Sequence, residues 1–288
     1  MVLRIIGTML TTAALLIVGF VIAMAVERHR HTGRWELPTW DHVEINARAL
    51  QSTLFHTPTK LIYLHRGPLT LRPGVDDATT ATSSVLASIP GPAARRVGGF
   101  RGSDSRWRRI KRCVIRGLAP FDVTVTDQRP APSTSYMLVA VGGRGRDIGL
   151  SRTESRRTGG LAPLRAGRPV PRAVVFAFAR TLRNRVRPVC ETILHEIGHA
   201  YGLEHVRSCK DLMGYGTHCG RRRFVDAPKT CGERRSRSCA TGRSTQNAFD
   251  YLMNLLGPRQ PESAAANPDQ RHEDHGEPTK SNALTGGA

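Results

Sequence analysis

Lysine is scarce in this 288-residue chain: five of its 43 basic residues are lysine and 38 are arginine, against 23 acidic residues, for a formal net charge of +20. Aromatic residues are few, at 6%. With no recognised nucleic-acid-binding motif beside the charge, a specific nucleic-acid partner is not expected. No C-x-x-C pair occurs among the six cysteines, which counts against a cysteine zinc site. No aspartate-rich loop reads as a calcium site either. What the charge favours is contact with anionic envelopes, polysaccharide or acidic substrates, although arginine-rich codon usage in a GC-rich genome gives the same composition. An apolar content of 39% suffices for one medium domain, expected as a monomer.

The N-terminus carries Arg4, an apolar run from Ile5 to Ile22, and then Ala23-Met24-Ala25. A charged start, a hydrophobic stretch and an A-x-A site read as a secretory signal over residues 1–25. An uncleaved anchor is the alternative, since about 18 apolar residues just span a bilayer. Both readings place the remainder outside the cytoplasm, secreted or extracytoplasmic. Residues 26–58 have little periodicity and read as a linker or short pro-segment. Cys113, Cys190, Cys209, Cys219, Cys231 and Cys239 suit an oxidising compartment, with up to three disulfides and 15 possible pairings. Four of them cluster between Cys209 and Cys239, a loop-rich stretch that bridges would staple. From Pro258 to Ala288 the composition turns to proline, glutamate, asparagine and small residues, a tail expected to be disordered.

The densest signal is His195-Glu196-Ile197-Gly198-His199-Ala200-Tyr201-Gly202-Leu203-Glu204-His205, which reads H-E-x-x-H-x-x-G-x-x-H. On a helix, His195 and His199 project from one face and reach one metal ion. Gly202 permits the helix to break, so that His205 approaches the same ion from a third side. Three histidines leave one tetrahedral position of Zn2+ for a water, the hallmark of a catalytic site, and Glu196 is the natural base for that water. A helix over about residues 189–201 is predicted, with Pro188 in its first turn and Val189, Ile193, Ile197 and Ala200 as its buried stripe.

The long motif followed by Asp211-Leu212-Met213-Gly214-Tyr215 resembles the metzincin zinc proteases. By that resemblance Met213, eight residues beyond His205, packs beneath the metal as the methionine of the Met-turn. Tyr215, two residues further on, resembles a tyrosine that in some branches ligates zinc or bonds the tetrahedral intermediate; a packed aromatic is the other reading. Val206 follows His205 where the named branches carry serine, aspartate, glutamate or proline, so no branch is assigned. The stretch from about Lys60 to Gly257 is similar to secreted bacterial metzincins of matrixin-like type.

Upstream, Leu61–Leu64 reads as a strand with Leu69–Leu71 as its hairpin partner, and residues 105–117 as a helix. Phe121–Thr126, Tyr136–Val141 and Ala173–Ala179 read as further strands. The expected fold class is α+β: a metzincin-like catalytic domain over residues 59–257, with a mixed twisted sheet, a zinc-binding helix and a disulfide-rich C-terminal subdomain. The expected function is a secreted zinc endopeptidase acting on protein or peptide substrates laid along the sheet edge. A zinc-containing basic binding module, or an amidase acting on cell-envelope material, is the alternative. Arg221, Arg222 and Arg223 either line the cleft and favour acidic substrates or form a solvated face.

Overall fold

The computed structural model describes residues 58–215 and 220–260. The signal or anchor over residues 1–25, the linker up to residue 57, Cys219 and the tail from residue 261 lie outside the described residues. Within them, a mixed α/β fold is built from three sheets. The principal sheet joins β1 (Leu61–His65), β5 (Thr124–Thr126), β6 (Met137–Val141), β7 (Gly160–Leu161) and β8 (Val174–Ala177) in the order β5-β1-β6-β8-β7. Its first four strands are parallel, and only β7, at the edge, runs antiparallel.

The alternation of side chains along a strand divides the core in two. Ile62, Leu64, Val139, Val175 and Ala177 face one cluster with Trp107, Ile110, Val114, Ile193 and Ile197. Tyr63, Leu138, Ala140, Val174 and Phe176 face the other, with Leu71, Leu86 and Val97. Both faces are covered, which explains why Met137–Val141 and Val174–Ala177 are buried throughout and read as unbroken apolar runs.

The first cluster is roofed by helices. The short helix α1 (Ser84–Ala87) belongs to the other face, beside the small sheet of β2 (Leu69–Pro73), β3 (Thr82–Ser83) and β4 (Arg95–Val97). The roof is α2 (Asp104–Leu118) and α4 (Val186–Ala200); α3 (Arg152–Arg157) lies between them in sequence. Ser103 caps α2 by accepting from the Arg106 amide, and Trp107, Ile110, Val114 and Leu118 bury its apolar stripe. At Gly117 a side chain would collide with Leu194 of α4, so the glycine permits the close crossing. Cys113 and Cys190 then tie α2 to α4 across a sequence separation of 77. Closing a loop of that length restricts the unfolded chain by about 4 kcal/mol.

Three sequence expectations need correction. Leu69–Leu71 is not the hairpin partner of β1, because β1 is flanked by β5 and β6 while β2 pairs with β3 and β4 in a separate sheet. Phe121–Thr126 keeps its alternating burial, yet only Thr124–Thr126 is strand, with Phe121 bridged to Pro258. The zinc-motif helix begins at Val186, a turn before Val189, and Pro188 sits within its first turn, where a missing amide costs nothing. The edge strand β7 has no alternating pattern and was not foreseen.

Beyond α4 the chain is loop-rich. It forms a ribbon of β9 (Lys229–Thr230) and β10 (Thr245–Gln246), and ends in α5 (Ala248–Leu256). Cys231 and Cys239 are bridged, and Cys209 is also disulfide-bonded. Among the described residues no helix is long and apolar enough to cross a membrane.

Asp127 joins β5 to α2. Burial alone would raise its pKa, but the Trp107 indole N–H at 2.8 Å and the Lys111 ammonium at 2.9 Å outweigh burial and hold it below the usual carboxylate range. A carboxyl depressed on folding stabilises the fold above its unfolded pKa and loses that contribution as pH falls through the folded value. Asp127→Asn is therefore expected to cost about 1–2 kcal/mol at pH 7. Its deficit against the wild type should shrink as pH drops from about 5 to 3. Urea unfolding at several pH values measures this, and a pH-independent deficit contradicts it.

Candidate metal centre and cleft

α4 carries His195, Glu196 and His199 on its last turns, and its buried stripe fixes which way they face. Val189, Ile193 and Ile197 lie fully buried against the sheet. The helix stops at Ala200, Tyr201 caps it, and Gly202 follows with φ +102°. A side chain there would strike the Arg168 backbone and the Tyr251 hydroxyl, so position 202 requires glycine both for its conformation and for the space. The reversal brings His205 back over the helix.

The three imidazoles then converge. The Nε2 atoms of His195 and His199 lie 3.0 Å apart, those of His199 and His205 3.0 Å, and those of His195 and His205 3.2 Å. A tetrahedral zinc with Zn–N bonds of about 2.0–2.1 Å sets its nitrogen ligands about 3.3 Å apart, so the spacing suits one such ion. Each ring also turns Nδ1 toward an oxygen. His195 bonds the Leu212 carbonyl at 2.6 Å, His199 the Leu203 carbonyl at 2.7 Å and His205 the Glu233 carboxylate at 2.9 Å. Donation from Nδ1–H leaves each Nε2 with a free lone pair aimed at the common point. Burial, with its neighbour His199, drives His195 well below the ordinary histidine range; burial and His205 lower His199 to about 4. Neutral imidazoles at pH 7 are what a metal ion needs.

Glu196 sits beside the triad with 6% of its surface exposed, and burial pushes its carboxyl up to about 8. Positive charge held by the triad would draw that value down toward a usable base. Above it passes β7: a side chain at Gly160 would meet the Glu196 carboxylate at 2.7 Å and the Phe176 carbonyl at 2.6 Å. Triad, Glu196 and the segment Gly159–Ala162 line one cavity of about 610 Å3, whose far wall includes Gly214, Tyr215 and Arg222.

The turn after His205 is built by Asp211. Its buried carboxylate accepts from the amides of Met213 at 2.8 Å and Val225 at 3.2 Å. Met213 is fully buried with its sulfur against Gly198, beneath the helix that carries two of the histidines. Tyr215 is 64% exposed at the cavity rim, its ring edge-on to His205 at 5.1 Å between centroids. Of the arginine run, Arg222 alone reaches the cavity; it pairs with Glu191 at 3.1 Å and bonds the Gly214 carbonyl at 3.1 Å.

No family model matches the chain. It is similar to a metzincin: 89 residues are 30% identical to archaemetzincin-2 from Homo sapiens. The match covers 30% of this chain and 24% of that protein, so the chain spans about a quarter of the length of the curated relative it matches.

Two acidic residues that sequence reasoning passed over support the third histidine. Glu204 is buried, its carboxylate accepting from Arg237 at 2.7 Å and the Ala240 amide at 2.7 Å. Gln246 grips its backbone on both sides, at 2.9 and 2.8 Å. Glu233 lies 28 residues beyond His205, and the hydrogen bond from that histidine holds its carboxyl below the usual range. No local spacing marks Glu233. The Cys231–Cys239 bridge beside Glu204 occupies both thiols, which removes them as ligands for a second metal.

If Glu233 orients His205, Glu233→Ala should weaken zinc binding by about 10–100-fold in a chelator competition while the protein remains folded. Unchanged affinity would mean that the contact positions nothing.

Proposed function

We propose that the chain is a zinc endopeptidase of metzincin type, exported from the cytoplasm, with its catalytic domain over residues 59–257. The observation that carries this reading is the convergence of three imidazole Nε2 atoms on one point, with the buried Glu196 carboxyl alongside and both opening to a cavity under a sheet edge. His195, His199 and His205 would hold the zinc, and no fourth protein ligand crowds the cavity side of the triad among the described residues. When bound there, zinc supplies a Lewis acid for a water and a scissile carbonyl.

The chain's own residues do the rest. Among the described residues Gly160 and Leu161 pair with β8 on one side only, so their outer edge could align an extended peptide by main-chain hydrogen bonds. The absence of a side chain at Gly160 lets β7 itself pass close over Glu196, which would bring a peptide paired to that edge near the carboxylate. Glu196 takes the proton of the attacking water and delivers it to the departing amine. The Tyr215 hydroxyl, on an exposed ring beside His205, would donate to the developing oxyanion. Met213, packed under Gly198, gives the ligand-bearing helix a firm base. The resemblance of the motif and the match to archaemetzincin-2 support the metzincin class; Val206 leaves the branch open. The bridges Cys113–Cys190 and Cys231–Cys239 support an oxidising location.

The test compares the wild type, produced in an oxidising host, with Glu196→Gln on a mixed peptide library, with bound zinc measured for both. Both should carry one zinc, and the variant should cut at least about 100-fold more slowly. Equal rates would remove Glu196 from the mechanism. Zinc without any peptide cleavage would favour a cell-envelope amide substrate or a binding role.

A further inference from the structure

A second concavity, of about 390 Å3, is lined by Arg144, Arg146, Arg152, Arg156, Arg180 and Arg183. They come from three segments: the 3-10 turn Gly145–Ile148 with its N-cap, helix α3, and the loop between β8 and α4. Among the described residues none of the six guanidinium groups belongs to an ion pair. The nearby carboxylates are engaged elsewhere. Asp147 accepts from the amides of Gly98 and Arg144 at 3.2 and 3.1 Å, and Glu154 from that of Ser151 at 3.0 Å. Six guanidinium groups with no ion-pair partner among the described residues leave an excess of positive charge there, which is unfavourable until an anion joins them.

The recess is also held in shape. Ser155, which is buried, accepts from the Arg146 amide at 2.9 Å and offers its carbonyl to the Thr181 hydroxyl at 3.3 Å, linking all three segments. Arg183 and Asn184 adopt φ of +55° and +51°, a left-handed conformation uncommon outside glycine. The Arg183 amide bonds the Arg180 carbonyl at 3.2 Å and the Asn184 amide bonds the Ala179 carbonyl at 2.7 Å, which fixes the turn that brings Arg183 to the rim.

Guanidinium forks bind tetrahedral oxyanions in a bidentate way that point-like ammonium groups do not match. Among the described residues no aromatic ring lines the recess, so the stacking on which single-stranded nucleic acid relies finds no platform there. We propose that this recess binds the sulfate or phosphate ester groups of an anionic polysaccharide. Arg156 and Thr181 line it, and their sequence neighbours Arg157 and Leu182 line the zinc cleft, so a bound polymer would lie beside that cleft. The binding claim does not depend on the peptidase reading.

The full chain is titrated with a dextran sulfate fragment, with uncharged dextran of equal length, and with oligothymidylate of equal charge. One variant carries Arg146→Gln, Arg152→Gln, Arg156→Gln and Arg183→Gln. A control of the same net charge carries Arg101→Gln, Arg108→Gln, Arg109→Gln and Arg116→Gln. A third, with the four recess residues replaced by lysine, keeps the charge and loses the forks. Thermal midpoints confirm that each is folded. Dextran sulfate should bind the recess variant about tenfold or more weakly, the lysine variant at an intermediate level, and the control nearly as well as the wild type. Equal losses in the glutamine variant and the control would replace the site by a diffuse field. Tighter binding of oligothymidylate, abolished by the recess substitutions, would assign a nucleic acid instead, and wild-type chain that binds no dextran sulfate would overturn the proposal outright.

Discussion

Everything distinctive in this fold serves one constraint: three imidazole Nε2 atoms must point at one another within 3.0 to 3.2 Å and must stay there. Lone pairs brought that close repel unless a cation lies between them, and each ring is also held from behind. The three restraints differ in kind. Leu203 and Leu212 offer backbone carbonyls and Glu233 a carboxylate. A carbonyl is positioned by the chain, which ties the site to the turn at Gly202 and to the turn built on Asp211. A carboxylate is positioned by its own neighbours, which ties the site to the segment near the Cys231–Cys239 bridge.

The loop-rich C-terminal region thus functions as scaffold, and Leu212, Met213, Phe224, Leu252 and Leu256 anchor it in the main core. Its framework is also bonded through side chains: Glu204 with Arg237 and Gln246, Asp211 with two amides, and the Cys231–Cys239 disulfide. Glycine defines the other half of the site. Gly198 admits the Met213 sulfur, Gly202 turns the chain and Gly160 lets the sheet edge pass close over Glu196. At each of these positions an alanine would displace something that the site needs.

The local part of the site could be read from the sequence, because the histidine spacing encodes geometry within a single helix and turn. The helix, the break at Gly202 and the alternation of Phe121–Thr126 followed from patterns spanning a few residues, whereas the burial of Met213 was expected only from the resemblance to metzincins. Glu233 escaped because nothing in its vicinity marks it; its importance comes from a contact 28 residues away. The edge strand Gly160–Leu161 escaped because two residues carry no period, and the pairing of Leu69–Leu71 was misjudged because proximity in sequence favours a hairpin over a second sheet. The six-arginine recess was hidden in composition: +20 says that cations are abundant, and only the fold says which of them meet.

His195, His199 and His205 are proposed to hold one metal ion through three nitrogens, with one position left to solvent. X-ray absorption at the zinc edge of the zinc-loaded protein measures that set of ligands directly. Three histidine nitrogens and one oxygen at about 2.0–2.1 Å are predicted. Sulfur ligands at about 2.3 Å, or a closed shell of four protein ligands, would contradict the account.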